Sequence, residues 1–371
     1  MAGIYLHVPF CKSRCTYCGF FSTTALAQRR VYVDALVAEL RERHAFLSGH
    51  SVSTIYFGGG TPSLLPVCEV ERLLSSIYNI YNVENGAEIT LEGNPDDMTP
   101  DYLAQLHHLG VNRLSMGVQT FSDARLRFLH RRHTAAQAVA AVRAAQKAGF
   151  DNLSIDLMFG FPNQTCAEWQ DDVSQALALG VQHVSAYSLM YEEGTPLTAM
   201  LERGDIAEVS EEESLRMYEC LIDRLAQAGF QHYEISNFAL PGYASRHNSS
   251  YWHGVPYLGV GAGAHSYDGH ARSYNVESLT GYLSGVSAVQ ETLTSHERYN
   301  EHVFTGLRTV NGISISRLQM LFGADLAAYC LRNAQSHLQN GLLVREGDVL
   351  RLTRQGLFVS NDVMSDLMWA E

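Results

Sequence analysis

The sequence predicts an α/β protein, in which six parallel strands covered by helices form a partial (β/α)6 barrel and a small α+β module follows. Two observations support this fold class. Short apolar runs rich in β-branched residues alternate with amphipathic stretches over the first two-thirds of the 371 residues. Continuous apolar strands of this kind are typical of parallel sheets buried on both faces. After about residue 295 the alternation gives way to consecutive helices and a hairpin.

The predicted elements of the first part are strand–helix units. Strands are predicted at residues 4–8, 54–57, 88–92, 113–117, 153–159 and 183–189. The helical periodicity is clearest at residues 32–46, 136–148, 168–179 and 211–228. The last of these helices starts in SEEES, where Ser210 and Glu213 have the spacing of a capping box. The glycine-rich stretch YLGVGAGAHS, at 257–266, is predicted as a tight loop. Six units are too few for an eight-stranded barrel, so we expect an open one.

The last part of the chain has a different order of elements. Helices are predicted at 297–310, 314–322 and 326–339, and NGLLVREGDVLRLT then predicts a hairpin that turns at 346–348. This order is that of a winged-helix-like unit. Its residues carry seven Lys and Arg against eight Asp and Glu, so the basic surface of a DNA-binding domain is missing. We therefore expect two domains, at 1–290 and 295–371, the second being a lid or docking module.

Composition excludes several classes of function. The formal net charge of −13 predicts that the protein does not bind nucleic acid. No apolar run approaches the roughly 20 residues of a membrane span, and nothing resembles a signal peptide. The cysteines outside the N-terminal cluster are scattered, which suits a reducing compartment. We expect a cytoplasmic protein without a transmembrane segment, for which peripheral membrane contact remains open.

Three of the seven cysteines form a cluster near the N-terminus. Cys11, Cys15 and Cys18 have C-x3-C-x2-C spacing, for which three interpretations compete. A redox pair of Cys15 and Cys18 leaves Cys11 unexplained. Zinc would need a fourth ligand such as His7, and no second C-x2-C follows at finger spacing. A [4Fe–4S] cluster on three thiolates would leave one iron open for an external ligand.

Polar side chains also occur where several predicted strands end. Glu92 closes ITLEGNP, Gln119 follows LSMGVQ, and Asp156 lies within SIDLMFGFP. Burial of such groups without partners is costly, so each either caps a neighbouring helix or faces a ligand. Because parallel barrels assemble their sites at the carboxyl ends of strands, three such residues favour a ligand pocket there.

A family resemblance rests on motifs that occur in order along essentially the whole chain. HVPFCxxxCxYC, FGGGTPS, LEGNP, LSMGVQTF, IDLMFGFP and EEGTP resemble the coproporphyrinogen III oxidase-like family of radical S-adenosylmethionine (SAM) proteins. The resemblance implies a [4Fe–4S] cluster on Cys11, Cys15 and Cys18 that binds SAM at its open iron. It also implies that SAM is bound by Tyr5, Gly59, Gly60, Thr61, Glu92, Gln119, Arg131 and Asp156. From the residues alone, Arg131 in LHRRH could equally form a surface ion pair.

Within this family the sequence resembles the heme chaperone branch. The alternative is the oxygen-independent coproporphyrinogen III dehydrogenase, whose motif continues as C-x3-C-x2-C-x-C, whereas Phe20 stands at the last position here. The dehydrogenase also has a longer segment before its cysteines. The stretch RHNSSYWHG contains the H-N-x-x-Y-W motif that is associated with heme in this branch. The matching residues are His247, Asn248, Tyr251 and Trp252.

The resemblance implies a protein that binds heme, a [4Fe–4S] cluster and SAM, and that transfers heme to apo-haemoproteins. Two alternatives remain open, the dehydrogenase and a radical SAM methyltransferase that acts on heme. A homodimer is also possible. By its residue type alone, His247 is more readily a hydrogen-bonded histidine of an aromatic core. Which atom would bind the heme iron stays open, and His253 and His265 lie nearby in the sequence.

Overall fold

The computed structural model describes residues 1–370, and its centre is a run of six parallel strands. These strands are β1 (Ala2–Val8), β2 (Val52–Gly59), β3 (Val83–Gly93), β4 (Arg113–Gln119), β5 (Leu153–Phe159) and β6 (His183–Ser188). They pair with one another in chain order. Each predicted strand overlaps one of them, which confirms the predicted α/β fold class.

Helices connect the parallel strands and cover the sheet. They are α1 (Arg29–Glu42), α2 (Val67–Ile80), α3 (Pro100–His108), α4 (Asp123–Phe128), α5 (Ala135–Lys147), α6 (Cys166–Ala178), α7 (Pro196–Glu202) and α8 (Glu211–Gln227). Their buried faces pack on the apolar strands in one large core, with Trp169 and Phe57 among its fully buried side chains. The four helices predicted from periodicity correspond to α1, α5, α6 and α8.

The predicted capping box at the start of α8 is only half formed. The Ser210 side chain accepts a hydrogen bond from the Glu213 backbone, as predicted. The Glu213 carboxylate, however, accepts one from the backbone N–H of Cys166 at 3.0 Å. Glu213 therefore ties α8 to the first residue of α6, a tertiary contact that outcompetes the local one.

Further strands extend the sheet on both sides. β7 (Gln231–Glu234) and β8 (Asn237–Ala239) lie beyond β6. On the other side are β9 (Tyr257–Val260), β10 (His265–Tyr267), β11 (Ala271–Tyr274) and β12 (Val289–Thr292). β9 runs parallel to β1 and β10 begins at His265, so the predicted loop at 257–266 is confirmed only for residues 261–264. The short helices α9 (Arg246–Trp252) and α10 (Leu279–Leu283) belong to the same region.

The C-terminal module has a hydrophobic core of its own, which includes Tyr299, Leu318 and Met364. Its elements are α11 (Ser295–Leu307), β13 (Ile313–Ser314), α12 (Ile315–Phe322), α13 (Ala324–Gln339), β14 (Leu343–Glu346), β15 (Val349–Leu352), α14 (Arg354–Phe358) and α15 (Ser360–Leu367). The order up to β15 agrees with the predicted winged-helix-like unit. We propose, as the sequence predicts, that the chain divides between residues 290 and 295. No helix within residues 1–370 is both long enough and apolar enough to cross a membrane.

Candidate cofactor site

A cavity of about 550 Å³ opens at the carboxyl ends of the parallel strands. The loop after β1 contributes the three cysteines, and the loop after β2 contributes glycines. Side chains at the ends of β3, β4 and β5 complete the walls. Among the predicted residues, those that line this cavity are Cys11, Cys15, Cys18, Gly59, Gly60, Thr61, Glu92, Gln119, Arg131 and Asp156. The structure therefore brings these ten residues together, and the volume of the cavity is that of a cofactor site.

The glycine loop lies directly against the cysteine loop. Gly59 has a φ of +110°, a conformation that favours glycine. A Cβ at Gly60 would lie 2.8 Å from the Pro9 carbonyl and 3.0 Å from Cys11 Sγ. Next to it, the Thr61 hydroxyl donates to Cys11 Sγ at 3.4 Å. Only glycine allows the backbone to approach the thiols so closely.

A buried arginine contacts the second thiol. Arg131 Nη1 lies 3.5 Å from Cys15 Sγ, and its Nη2 donates to Asn94 Oδ1 and to the Gly117 carbonyl at 2.5 and 2.6 Å. Hydrogen-bond donors and cations near cysteine sulfur stabilise the thiolate that binds iron. The surface ion pair considered for Arg131 is formed instead by its neighbour Arg132, with Asp96 and Asp97.

The three thiols fit an iron–sulfur cluster better than zinc. Both ring nitrogens of His7 are engaged at 3.1 Å, Nδ1 with the Tyr5 hydroxyl and Nε2 with the Phe21 carbonyl, so His7 is not available as a fourth ligand. Within residues 1–370, no three His, Cys, Asp or Glu side chains converge as the ligands of a single ion. Burial raises the pKa of the Cys11 and Cys18 thiols, and binding to iron would deprotonate them.

Two carboxyl groups face each other across the strand ends. Glu92 Oε1 accepts a hydrogen bond from the Tyr56 hydroxyl at 2.5 Å, and Asp156 Oδ1 accepts one from Ser115 at 3.2 Å. Burial, together with the nearby Asp156, raises the pKa of Glu92 to about 7. Burial also raises the pKa of Asp156. Such a pair suits a ligand that offers hydroxyl donors or positive charge, as SAM does.

Gln119 has an unusual backbone conformation. Its φ is +69°, which is uncommon for a residue other than glycine, and the pairing of β4 with β5 is irregular between Gly117 and Gln119. A Cβ at Gly117 would lie 2.8 Å from Gln119 Nε2 and 3.0 Å from Arg131 Nη2. The bulge turns Gln119 toward the cavity at a strain of about 1–3 kcal/mol, a cost typical of functional sites.

Tyr5 lies deeper in the barrel than the sequence predicts. Its ring stacks near Tyr56 and His247, with ring centres 6.1 and 6.3 Å apart, and among residues 1–370 it is not part of the cavity lining. Contact between Tyr5 and SAM therefore stays a prediction. The rim instead has exposed apolar groups, namely Phe20 with 71% and Met190 with 59% of their surface accessible.

Several lining residues have no counterpart in the sequence prediction. Asn94 and Ser115 lie in the quoted motifs LEGNP and LSMGVQTF but are not singled out there, and Tyr187 and Met190 lie in no quoted motif. Arg113 is fully buried, and its Nε and Nη1 have no hydrogen-bond partner within residues 1–370. An arginine at the first position of a strand is normally exposed, so the sequence gives no warning of its burial.

The H-N-x-x-Y-W residues form helix α9, but His247 faces the core. His247 is buried, its Nδ1 bonds the Thr54 hydroxyl, and its Nε2 bonds the Tyr251 hydroxyl, both at 2.8 Å. Burial lowers its pKa to about 3. The ring is therefore neutral with both nitrogens hydrogen-bonded, which is the arrangement of a core histidine, and contact between His247 and heme stays a prediction. Asn248 is half-buried on the same helix, while Tyr251 and Trp252 line a second cavity.

Fold and site together define the class, which is that of the radical SAM proteins. The family model described as "Radical SAM superfamily" matches residues 5–176, and "HemN C-terminal domain" matches residues 293–359. The chain belongs to the HemW family. It is 34% identical to "Heme chaperone HemW" of Lactococcus lactis subsp. lactis over 98% of this chain and 96% of that protein.

Further comparisons agree with this membership. The chain is 34% identical to "Heme chaperone HemW" of Bacillus subtilis, with 98% of each chain covered. It is 33% identical to "Radical S-adenosyl methionine domain-containing protein 1, mitochondrial" of Bos taurus over 99% of this chain and 87% of that one. Among solved structures, Escherichia coli coproporphyrinogen III oxidase (HemN), a radical SAM enzyme, superposes with a TM-score of 0.86. At 24% identity over 99% of this chain and 90% of that one, the likeness concerns the fold.

Proposed function

We propose that this protein is a heme chaperone, which binds heme together with a SAM-liganded [4Fe–4S] cluster and transfers the heme to apo-haemoproteins. The observation that carries the proposal is the similarity, at 34–36% identity over nearly the whole chain, to several relatives named as heme chaperones. Phe20, in place of the additional cysteine of the dehydrogenase motif, supports this branch over the decarboxylating enzyme.

The residues of the first cavity have chemically distinct roles in this proposal. Cys11, Cys15 and Cys18 would hold the cluster, which when bound would offer an open iron to SAM and one-electron chemistry. The Thr61 hydroxyl and the Arg131 guanidinium, at 3.4 and 3.5 Å from two of the sulfurs, lower the energy of the thiolates. The carboxyl groups of Glu92 and Asp156, on β3 and β5, would accept hydrogen bonds from SAM, and Gln119 would add an amide.

Partners of the protein follow from the same proposal. They are heme and apo-haemoprotein acceptors. The net charge of −13 disfavours nucleic acid. A cytoplasmic location and a homodimer also belong to the proposal, and sedimentation of the purified protein with and without heme tests the second of these.

The proposal is tested on anaerobically reconstituted protein. Hemin titration should give a saturable Soret change, and mixing the loaded protein with apomyoglobin should produce the spectrum of holo-myoglobin. A parallel incubation with coproporphyrinogen III, SAM and a reductant should yield no decarboxylated product. Decarboxylation would restore the dehydrogenase, methylated heme would favour the methyltransferase, and failure to bind hemin would exclude the chaperone.

A further inference from the structure

A second cavity, of about 790 Å³, lies between the end of α9 and the C-terminal module. Within residues 1–370 it shares no lining residue with the cofactor cavity. Trp252, Tyr257 and Tyr267 contribute aromatic walls from the barrel, and Phe304 and Phe322 contribute them from α11 and α12. Its volume and its flat aromatic walls suit a large planar ligand.

The charged groups of this cavity are unusual for so acidic a protein. Its wall contains three arginines, Arg272, Arg298 and Arg317, and one acidic residue, Glu301. No other charged side chain of residues 1–370 lines it. Arg272 is already paired with Glu301 at 2.5 Å. Arg298 and Arg317 form no ion pair within residues 1–370, and Arg298 Nε is buried without a hydrogen-bond partner. Two free guanidinium groups suit a ligand with two carboxylates.

A histidine in the wall has the hydrogen bonding of a metal ligand. His253 follows α9 directly, and its Nδ1 lies 2.6 Å from the Ser249 carbonyl. Because a carbonyl only accepts, Nδ1 carries the proton and Nε2 keeps its lone pair, which is the usual arrangement of metal-binding histidines. His302, on α11, also lines the cavity.

We propose that heme occupies this second cavity, with Nε2 of His253 as axial ligand and its two propionates paired with Arg298 and Arg317. The inference rests on the proposed chaperone function and assigns its binding site. His247 then has a positioning role: through Thr54 and Tyr251 it fixes α9, so that Trp252 and His253 face the cavity. His302 is a second nitrogen donor in the cavity wall.

Hemin titration of the full-length protein and of matched variants tests this site. His253→Ala should change the Soret band and weaken binding about tenfold or more, since an iron–nitrogen bond is lost. The control His44→Ala should bind hemin as the original protein does, because His44 is exposed and outside the cavity, although its Nδ1 also bonds a backbone carbonyl. Thermal unfolding of each variant verifies that it folds. Loss of the Soret change in His302→Ala but not in His253→Ala would overturn the assignment of the ligand.

The propionate contacts have a separate test with hemin dimethyl ester, in which both carboxylates are masked. The original protein should prefer hemin over the ester by about tenfold or more, since charged hydrogen bonds are lost with the ester. The double variant R298Q/R317Q should lose that preference. If hemin binds and none of these variants differs from the original, the cavity is the wrong site while the chaperone function stands. If the original protein does not bind hemin, the proposed function itself fails.

Discussion

At the scale of single residues, Arg113 contributes to the pKa values of three buried groups in the barrel. It is fully buried on β4, and its positive charge lowers the pKa of Glu92 and of Asp156 against the larger, opposite effect of burial. The same charge adds to burial in lowering the pKa of His247. The charge of Arg113 thus favours the ionised form of both carboxyl groups, where SAM is expected to bind, and the neutral form of His247 in α9.

Glu92 should make the stability of the apo-protein depend on pH. Its pKa is about 7 in the folded protein and about 4.3 in an unfolded chain. Between these values the folded state binds more protons, so the free energy of unfolding falls as pH rises, by about 4 kcal/mol in total. Urea unfolding at pH 5 and pH 7.5 should show that Glu92→Gln removes this part of the decrease. The exposed control Glu42→Gln should retain the full decrease. If the free energy of unfolding fell equally between the two pH values in both variants, the assignment to Glu92 would be refuted.

The cluster cysteines give a second prediction for single residues. Cys15→Ala removes one of three thiolates and the sulfur that Arg131 contacts at 3.5 Å. Iron and sulfide analysis after anaerobic reconstitution should therefore find the [4Fe–4S] cluster lost. Cys68→Ala, at an exposed position outside the cavity, should keep four irons per chain as the protein itself does. A full cluster in the Cys15 variant would mean that other ligands bind the iron.

At the scale of elements, α9 is held by a carboxylate from β3. Buried Glu88 accepts hydrogen bonds from the backbone N–H groups of Arg246 and His247, both at 3.0 Å. These N–H groups belong to the first turn of the helix, which has no internal partners for them. Glu88 therefore fixes the start of α9, and with it the direction in which Trp252 points.

Glu88→Ala should lower the free energy of unfolding by about 3 kcal/mol, because two buried N–H groups lose a charged acceptor. Denaturant unfolding measures this loss, and Glu71→Ala on the exposed face of α2 is the control. If the heme site lies at the end of α9, the Glu88 variant should also bind hemin more weakly. A fall in stability as small as that of the control would mean that the start of α9 is held by other contacts.

The elements also show how far sequence reasoning extends. Strands β1–β6 are predicted because each is a continuous apolar run, and the site at their ends follows from the parallel arrangement. Strand β9 is not predicted from the sequence, because Tyr257–Val260 is short and contains a glycine. It is a strand because it pairs with β1. Likewise, the sequence does not indicate that His247 Nδ1 is hydrogen-bonded to Thr54, because these two residues are far apart in the chain.

On the scale of the whole molecule, the two cavities are built by different parts of the fold. The cofactor cavity is built by the strand ends of the barrel, whereas the second cavity needs both α9 and the C-terminal module. A ligand in the second cavity therefore bridges the barrel and the module, and a ligand in the first does not.

Hydrogen exchange should distinguish the two cavities. Hemin at 100 times its Kd contributes about 2.7 kcal/mol of stability to the state that binds it. Its addition should slow amide exchange in α9, α11 and α12, and leave the cysteine loop at residues 11–22 unchanged. The variant R298Q/R317Q, at the same hemin concentration, should show a smaller effect. Protection confined to the cysteine loop would place heme at the first cavity instead.

The position of β1 between β2 and β9 has a consequence for biosynthesis. Its partner β9 lies about 250 residues later in the chain, so at 5–20 residues per second a ribosome needs about 10–50 s to deliver it. During that interval one edge of the apolar strand β1 has no neighbour, and unpaired edges of this kind promote aggregation. A nascent chain of this protein is thus most vulnerable while its barrel is otherwise nearly complete.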